Sequence, residues 1–111
     1  MLIVNVEITE NDTILVTLGE FTDLELVPFD FSTGTLKAQV RANDGTLLVD
    51  FGNSDIIGTA TGFITLQKEY GTYTATTGAH KYDVQWTTPD NDRFTIVGGS
   101  FTINPEVTTD P

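Results

Sequence analysis

The chain has 111 residues, no cysteine and a formal net charge of −11. That length sets one modest domain, and the missing cysteine excludes a disulfide framework, thiolate chemistry and cysteine metal sites. A field of that sign repels phosphate, so nucleic acid and anionic lipid are excluded as natural partners. The acidity serves solubility first, and it also suits docking on a basic partner.

Met1 to Glu7 opens the chain with a short apolar run, without the basic start or small-residue cleavage site of a secretory signal. No apolar stretch reaches the length of a membrane span. The expectation is a soluble protein made in the cytoplasm. Leu2, Val4, Val6 and Ile8 then alternate with Asn5, Glu7 and Thr9, which predicts a strand with its apolar side inward. Asn11-Asp12-Thr13 spells a glycosylation sequon but reads as a turn. Ile14, Val16 and Leu18 line the next inward face. Leu24 to Val27 is a short strand candidate, and Pro28 suits its edge position.

Leu36, Ala38 and Val40 alternate cleanly with Lys37, Gln39 and Arg41. Asn43-Asp44-Gly45 is a hairpin signal, since Asp-Gly accepts positive φ. Leu47, Val49 and Phe51 return. Gly52 to Gly62 reads as a loop, Phe63 to Leu66 as a strand, and Gly71 to Gly78 as a Thr-rich polar connection. The best helical stretch, Thr65 to Tyr70, is too short. His80, Tyr82, Val84 and Trp86 share one strand face. Pro89-Asp90-Asn91-Asp92 turns the chain. Phe94 and Ile96 then point inward at even positions but Phe101 and Ile103 at odd ones, and Gly98-Gly99 is the expected bulge. Residues 1–106 form one domain and 107–111 a polar tail. Short strands with turns about every ten residues predict an all-β sandwich.

Chemistry is sparse. His80 is the lone histidine and reads as a packing residue on an apolar face, not a general base. Ser32, Ser54 and Ser100 stand in no nucleophile elbow. Asp90-Asn91-Asp92 and Asn53-Ser54-Asp55 read as turns, because they lack the spaced ligands of a calcium loop. Asp50 and Asp83 are the acids nearest apolar strand positions, and Asp83 alternates outward. Gly98-Gly99 lacks the lysine and helix of a phosphate loop. No nucleophile–base–orienter set can be assembled, so no catalytic residue, cofactor site or metal site is assigned. The apolar residues that the core pattern leaves over are Leu15, Leu48, Ile57, Tyr70 and Tyr73. They are the candidate interaction surface, set against the alternative of a small cluster under a loop.

Four segments occur in an order that resembles a family of small immunoglobulin-like proteins of tailed bacteriophages, of the cyanophage and marine-phage type. They are Phe29-Asp30-Phe31-Ser32-Thr33-Gly34, Leu36 to Arg41, Gly78 to Val84, and Val97 to Thr108. His80 replaces the aromatic usual in that family. The resemblance covers residues 13–108. It implies an immunoglobulin-like antiparallel β-sandwich of about seven to nine strands. It also implies a virion structural protein, placed on the tail, baseplate or fibre attachment or decorating the capsid. Its partners would be other virion proteins, with several copies or a homo-oligomer on a symmetric particle. The alternative function is a carbohydrate-binding module, in which Tyr70, Tyr73, Tyr82 and Trp86 would supply stacking rings.

Overall fold

The computed structural model describes residues 1–52 and 54–107. Nine strands and no helix make up those residues: β1 (Leu2–Ile3), β2 (Val6–Thr9), β3 (Ile14–Leu18), β4 (Thr35–Arg41), β5 (Leu47–Phe51), β6 (Ile56–Gly58), β7 (Ile64–Lys68), β8 (Gly78–Thr87) and β9 (Arg93–Asn104). A six-stranded sheet runs β1-β9-β8-β4-β5, with β2 also on β9; a three-stranded sheet runs β3-β7-β6. The expected sandwich is present, and its neighbouring strands are antiparallel with two exceptions. β1 and β2 run parallel to β9, Leu2 opposite Val97 and Val6 opposite Phe101.

Period-two burial builds the core. Ile14, Leu18, Ile64, Leu66 and Ile56 face inward from the smaller sheet, and Ala38, Val40, Val49, Phe51, Val84, Val97, Phe101 and Ile103 from the larger. An aromatic cluster closes one end. Phe31 meets Trp86 edge-on at 5.1 Å and Phe21 edge-on at 6.0 Å, and Phe29 lies 5.8 Å from both Phe31 and Trp86. Edge-to-face rings match a positive rim to a negative face, so the geometry adds to the burial.

Four expectations need correction. The opening strand is not buried throughout: Val6 is, but Leu2 and Val4 are exposed. Three strands cannot cover six, so the edge at β1 overhangs. Leu24 to Val27 is not a strand but a tight loop, joined at its base by a bridge between Thr22 and Pro28. The stretch 52–62 is not all loop, because β6 pairs with β7 there. Finally, the parity change in β9 occurs at Ile96. Val84 faces Val97 but Gln85 faces Thr95, so Ile96 is the extra residue, two positions before the glycines. The polar tail expected over 107–111 is described only at Val107, which is exposed; the rest lies outside the described residues.

The glycine pair serves another purpose. Val4 donates its N–H to the Gly98 carbonyl at 2.9 Å, and the Asn5 side-chain carbonyl accepts the Ser100 N–H at 3.1 Å. A Cβ on Gly99 would stand 2.8 Å from both the Val4 carbonyl oxygen and Asn5 Oδ1. The N-terminal strand crosses where β9 has no side chain. Gly99→Ala is therefore expected to lift Val4 and Asn5 from β9, read as faster amide exchange at residues 2–6 with β4 and β8 unchanged. The aromatic cluster is tested separately. Phe31→Ala removes the ring shared by Phe21, Phe29 and Trp86, and should cost about 3–5 kcal/mol in denaturant unfolding.

Candidate interaction surfaces

The five apolar residues that sequence periodicity leaves over do not form one patch. Leu15 on β3 and Ile57 on β6 share the outer face of the three-stranded sheet, with β7 between them. Leu15 pairs with Gln67, and Ile57 with Thr65 in the next row. Leu15 is 69% exposed and Ile57 is 47% exposed, amid Thr17, Thr65 and Gln67, so this face is mixed rather than oily. Tyr70 follows β7 and is exposed, its N–H on Thr13 Oγ1 at 3.3 Å. Tyr73 is half-buried against the core and donates its hydroxyl to the Asp12 carbonyl at 2.5 Å. It fastens the Thr-rich connection to the β2–β3 turn. Leu48 belongs to the other sheet. Val40 faces Val49 while Arg41 faces Leu47, so Leu48 is the bulged residue of β5 and packs partly on the core.

Three polar-tipped rings on β8 explain why that strand can be buried. His80, Tyr82 and Trp86 all lie on the inner face. His80 Nε2 donates to the Thr76 carbonyl at 2.7 Å, Tyr82 Oη to the Val4 carbonyl at 2.6 Å, and Trp86 Nε1 to the Thr33 carbonyl at 3.0 Å. Each buried donor thus meets an acceptor, as the desolvation penalty demands. His80 packs as expected for a structural histidine.

The acids stand apart from one another. Asp55 pairs with Lys68 at 3.0 Å, and Lys68 also donates to the Asp50 carbonyl oxygen at 3.0 Å. Asp30 caps its own turn through the Ser32 N–H at 3.0 Å and the Ser32 hydroxyl. Asn91 has φ 66° in the turn between β8 and β9, where the Asn91 N–H reaches the Thr88 carbonyl at 2.9 Å. Ser54 and Asp55 form a turn before β6, and Asn53 lies outside the described residues. Among the described residues, no three of His, Cys, Asp and Glu converge on a point that would hold a metal ion.

Two features invisible to periodicity stand out. The first is the loop Asp23-Leu24-Glu25-Leu26-Val27. Asp23 Oδ1 accepts the N–H groups of Glu25 at 2.8 Å and Val27 at 3.0 Å. The Asp23 N–H reaches the Val27 carbonyl at 3.0 Å, and the Leu26 N–H reaches the Asp23 carbonyl at 3.1 Å. This closed network holds Leu24 fully exposed and Leu26 80% exposed. Leu26 also sits at φ 64°, an unusual region for a leucine. The Asp–x–Glu–x–Val pattern reads as a strand by alternation, which hid the loop.

The second feature is a groove of about 740 Å³ on the outer face of the six-stranded sheet. Lys37 and Arg41 of β4 and Lys81 of β8 line it, so three of the chain's five cations share one groove. Met1, Ile3 and Ala79 are among its apolar lining. Arg41 is held to Gln39 Oε1 at 2.9 Å and to the Gly45 carbonyl at 2.8 Å. Lys37 and Lys81 form no ion pair among the described residues. Outward alternation of Lys37, Gln39 and Arg41 was readable; the register that brings Lys81 beside Arg41 was not.

Burial raises the Tyr82 phenol above its ordinary value, and burial followed by the Asp12 carboxylate raises that of Tyr73. A raised phenol pKa stabilises the fold fully below the free-tyrosine value of about 10, and that contribution is lost as pH climbs through the folded value. Tyr82→Phe should cost about 1 kcal/mol through the lost bond to Val4. It should also reduce the loss of stability on raising pH above about 10, measured by denaturant midpoints across that range.

No protein-family model and no curated protein sequence matches this chain. Among solved structures, the fold is similar to that of CopC from Methylosinus trichosporium OB3b. The two share 16% sequence identity at a TM-score of 0.52, over 96% of this chain and 89% of that one. Similarity at that identity concerns architecture alone, and it agrees with the two-sheet packing described above: the fold is an immunoglobulin-like β-sandwich.

Proposed function

We propose that this chain is a non-enzymatic structural module of a tailed-phage virion that works through protein–protein contacts. The observation that carries this reading is the Asp23–Val27 loop. A chain normally hides leucines or leaves them on mobile surfaces. Here four hydrogen bonds fix a loop whose tip offers two leucines to solvent. Such pre-ordering lowers the entropic cost of docking, which is the use a partner makes of it. The exposed β1 edge with Met1, Leu2 and Ile3 adds a second apolar contact zone.

The virion assignment rests on the ordered motifs of the sequence. Three of them lie side by side in the six-stranded sheet, where β4 carries Leu36 to Arg41, β8 carries Gly78 to Val84 and β9 carries the start of Val97 to Thr108. Carbohydrate binding has less behind it. Stacking platforms need exposed neighbouring rings, whereas Tyr82 and Trp86 are buried and Tyr73 is half-buried.

Mass spectrometry and electron microscopy of purified particles from a lysate containing this protein are the test. The chain is expected in the particle at a stoichiometry above one, on the tail or capsid surface. Its absence from particles that are otherwise complete would remove the virion role.

A further inference from the structure

The exposed loop and the basic groove are complementary in both charge and polarity. We propose that the Asp23–Val27 loop of one copy docks in the outer-face groove of a second copy, so that the chain self-associates head to tail. This deepens the assembly role above and rests on it.

The loop tip carries Leu24 and Leu26 flanking Glu25. The carboxylate of Asp23 is committed to the loop's own N–H groups, which leaves that of Glu25 for a partner. The groove offers Lys37 and Lys81 without ion pairs among the described residues, beside the exposed apolar side chains of Met1 and Ile3. Lys37, Arg41 and Lys81 line the groove against the single acid Asp83, a locally positive balance on a molecule whose total is −11, with Asp50 and Glu7 on the same sheet face outside the groove. Outside the groove lining the sequence has fifteen of its sixteen acids and two of its five cations, so the groove is where an acidic segment of another copy is attracted instead of repelled. Two leucines bracketing a carboxylate match a groove in which cations stand beside the apolar side chains of Met1 and Ile3.

Geometry sets the symmetry. The loop projects from the end of the sandwich closed by the aromatic cluster, while the groove lies on the sheet face. The two patches differ, so the contact is heterologous. Such contacts close into rings or continue as rows, according to the rotation between copies. Repetition on a symmetric particle then adds avidity to a contact that is weak for one pair.

The test is sedimentation velocity of the full chain over a concentration series. Wild type is expected to gain mass with concentration. Leu24→Asp and Lys81→Glu change exposed side chains, so their melting curves should match wild type, and each should weaken association about ten- to a hundredfold. Glu25→Lys combined with Lys81→Glu should recover part of the loss. The decisive arm mixes two assembly-defective chains. Leu24→Asp retains a working groove, and Lys37→Glu/Lys81→Glu retains a working loop. Together they should form a one-to-one complex that grows no further, whereas neither grows alone. Wild type that stays monomeric at every concentration, or mixtures that behave as the separate chains do, overturns self-docking. Neither result touches the virion role, which fails only if the protein is missing from particles.

Discussion

The inner face of β8 is the constraint on which the rest of this sandwich depends. His80, Tyr82, Val84 and Trp86 are all buried along ten residues of strand. Three of the four carry a polar ring atom that donates to a backbone carbonyl, each from a different segment: Thr76, Val4 and Thr33. The strand therefore does more than fill volume. It binds the Thr-rich connection, the N-terminal crossing and the aromatic-cluster turn to one central element. No buried side-chain nitrogen or oxygen among the described residues lacks a partner. Any of these rings truncated would leave both a void and an unanswered carbonyl, and the second cost is the one that apolar replacement cannot remove.

That arrangement also explains what was legible in the sequence. Strands with strict alternation and burial on one side announce themselves: β3, β4, β7 and β8 fall where Ile14, Ala38, Ile64 and Tyr82 place them. Elements held by long-range backbone pairing do not. β6 is three residues long and owes its existence to β7. The parallel approach of β1 and β2 to β9 has no local signature, because only the space above Gly99 permits it. The two bulges, at Leu48 and Ile96, shift parity without a glycine to mark them. Leu48 was legible as an apolar residue out of phase, and the bulge supplies the reason it is half-buried.

The candidate surface was legible only in part, for the same reason. Leu15 and Ile57 are correctly outward, yet two exposed aliphatic residues among threonines and a glutamine make little contact area. The chemistry behind the proposed association is assembled by register. Arg41 and Lys81 are forty residues apart and directly opposite in the sheet. Leu24 and Leu26 read as half of a strand until the Asp23 network shows that alternation there serves a loop. Periodicity reports which side of an element is buried; it is silent about which distant residues share the other side.

Separating the two sides of the same strands has a further consequence. β4 and β8 use Ala38, Val40, Val84 and Trp86 for stability and Lys37, Arg41 and Lys81 for the outer groove. Because successive residues point to opposite faces, outer residues can change without repacking the core. The loop sits under a different rule. Holding Leu26 at positive φ and two leucines in water costs stability, a cost that a fully satisfied core can carry. A body stabilised from within, with the proposed recognition residues on outward positions and one hydrogen-bonded loop, could alter a partner while keeping its fold. In the proposed self-docking, the acidity of the remaining surface would act as selection, repelling a second copy from most approaches and admitting it at the groove, where Lys37, Arg41 and Lys81 outnumber the one lining carboxylate.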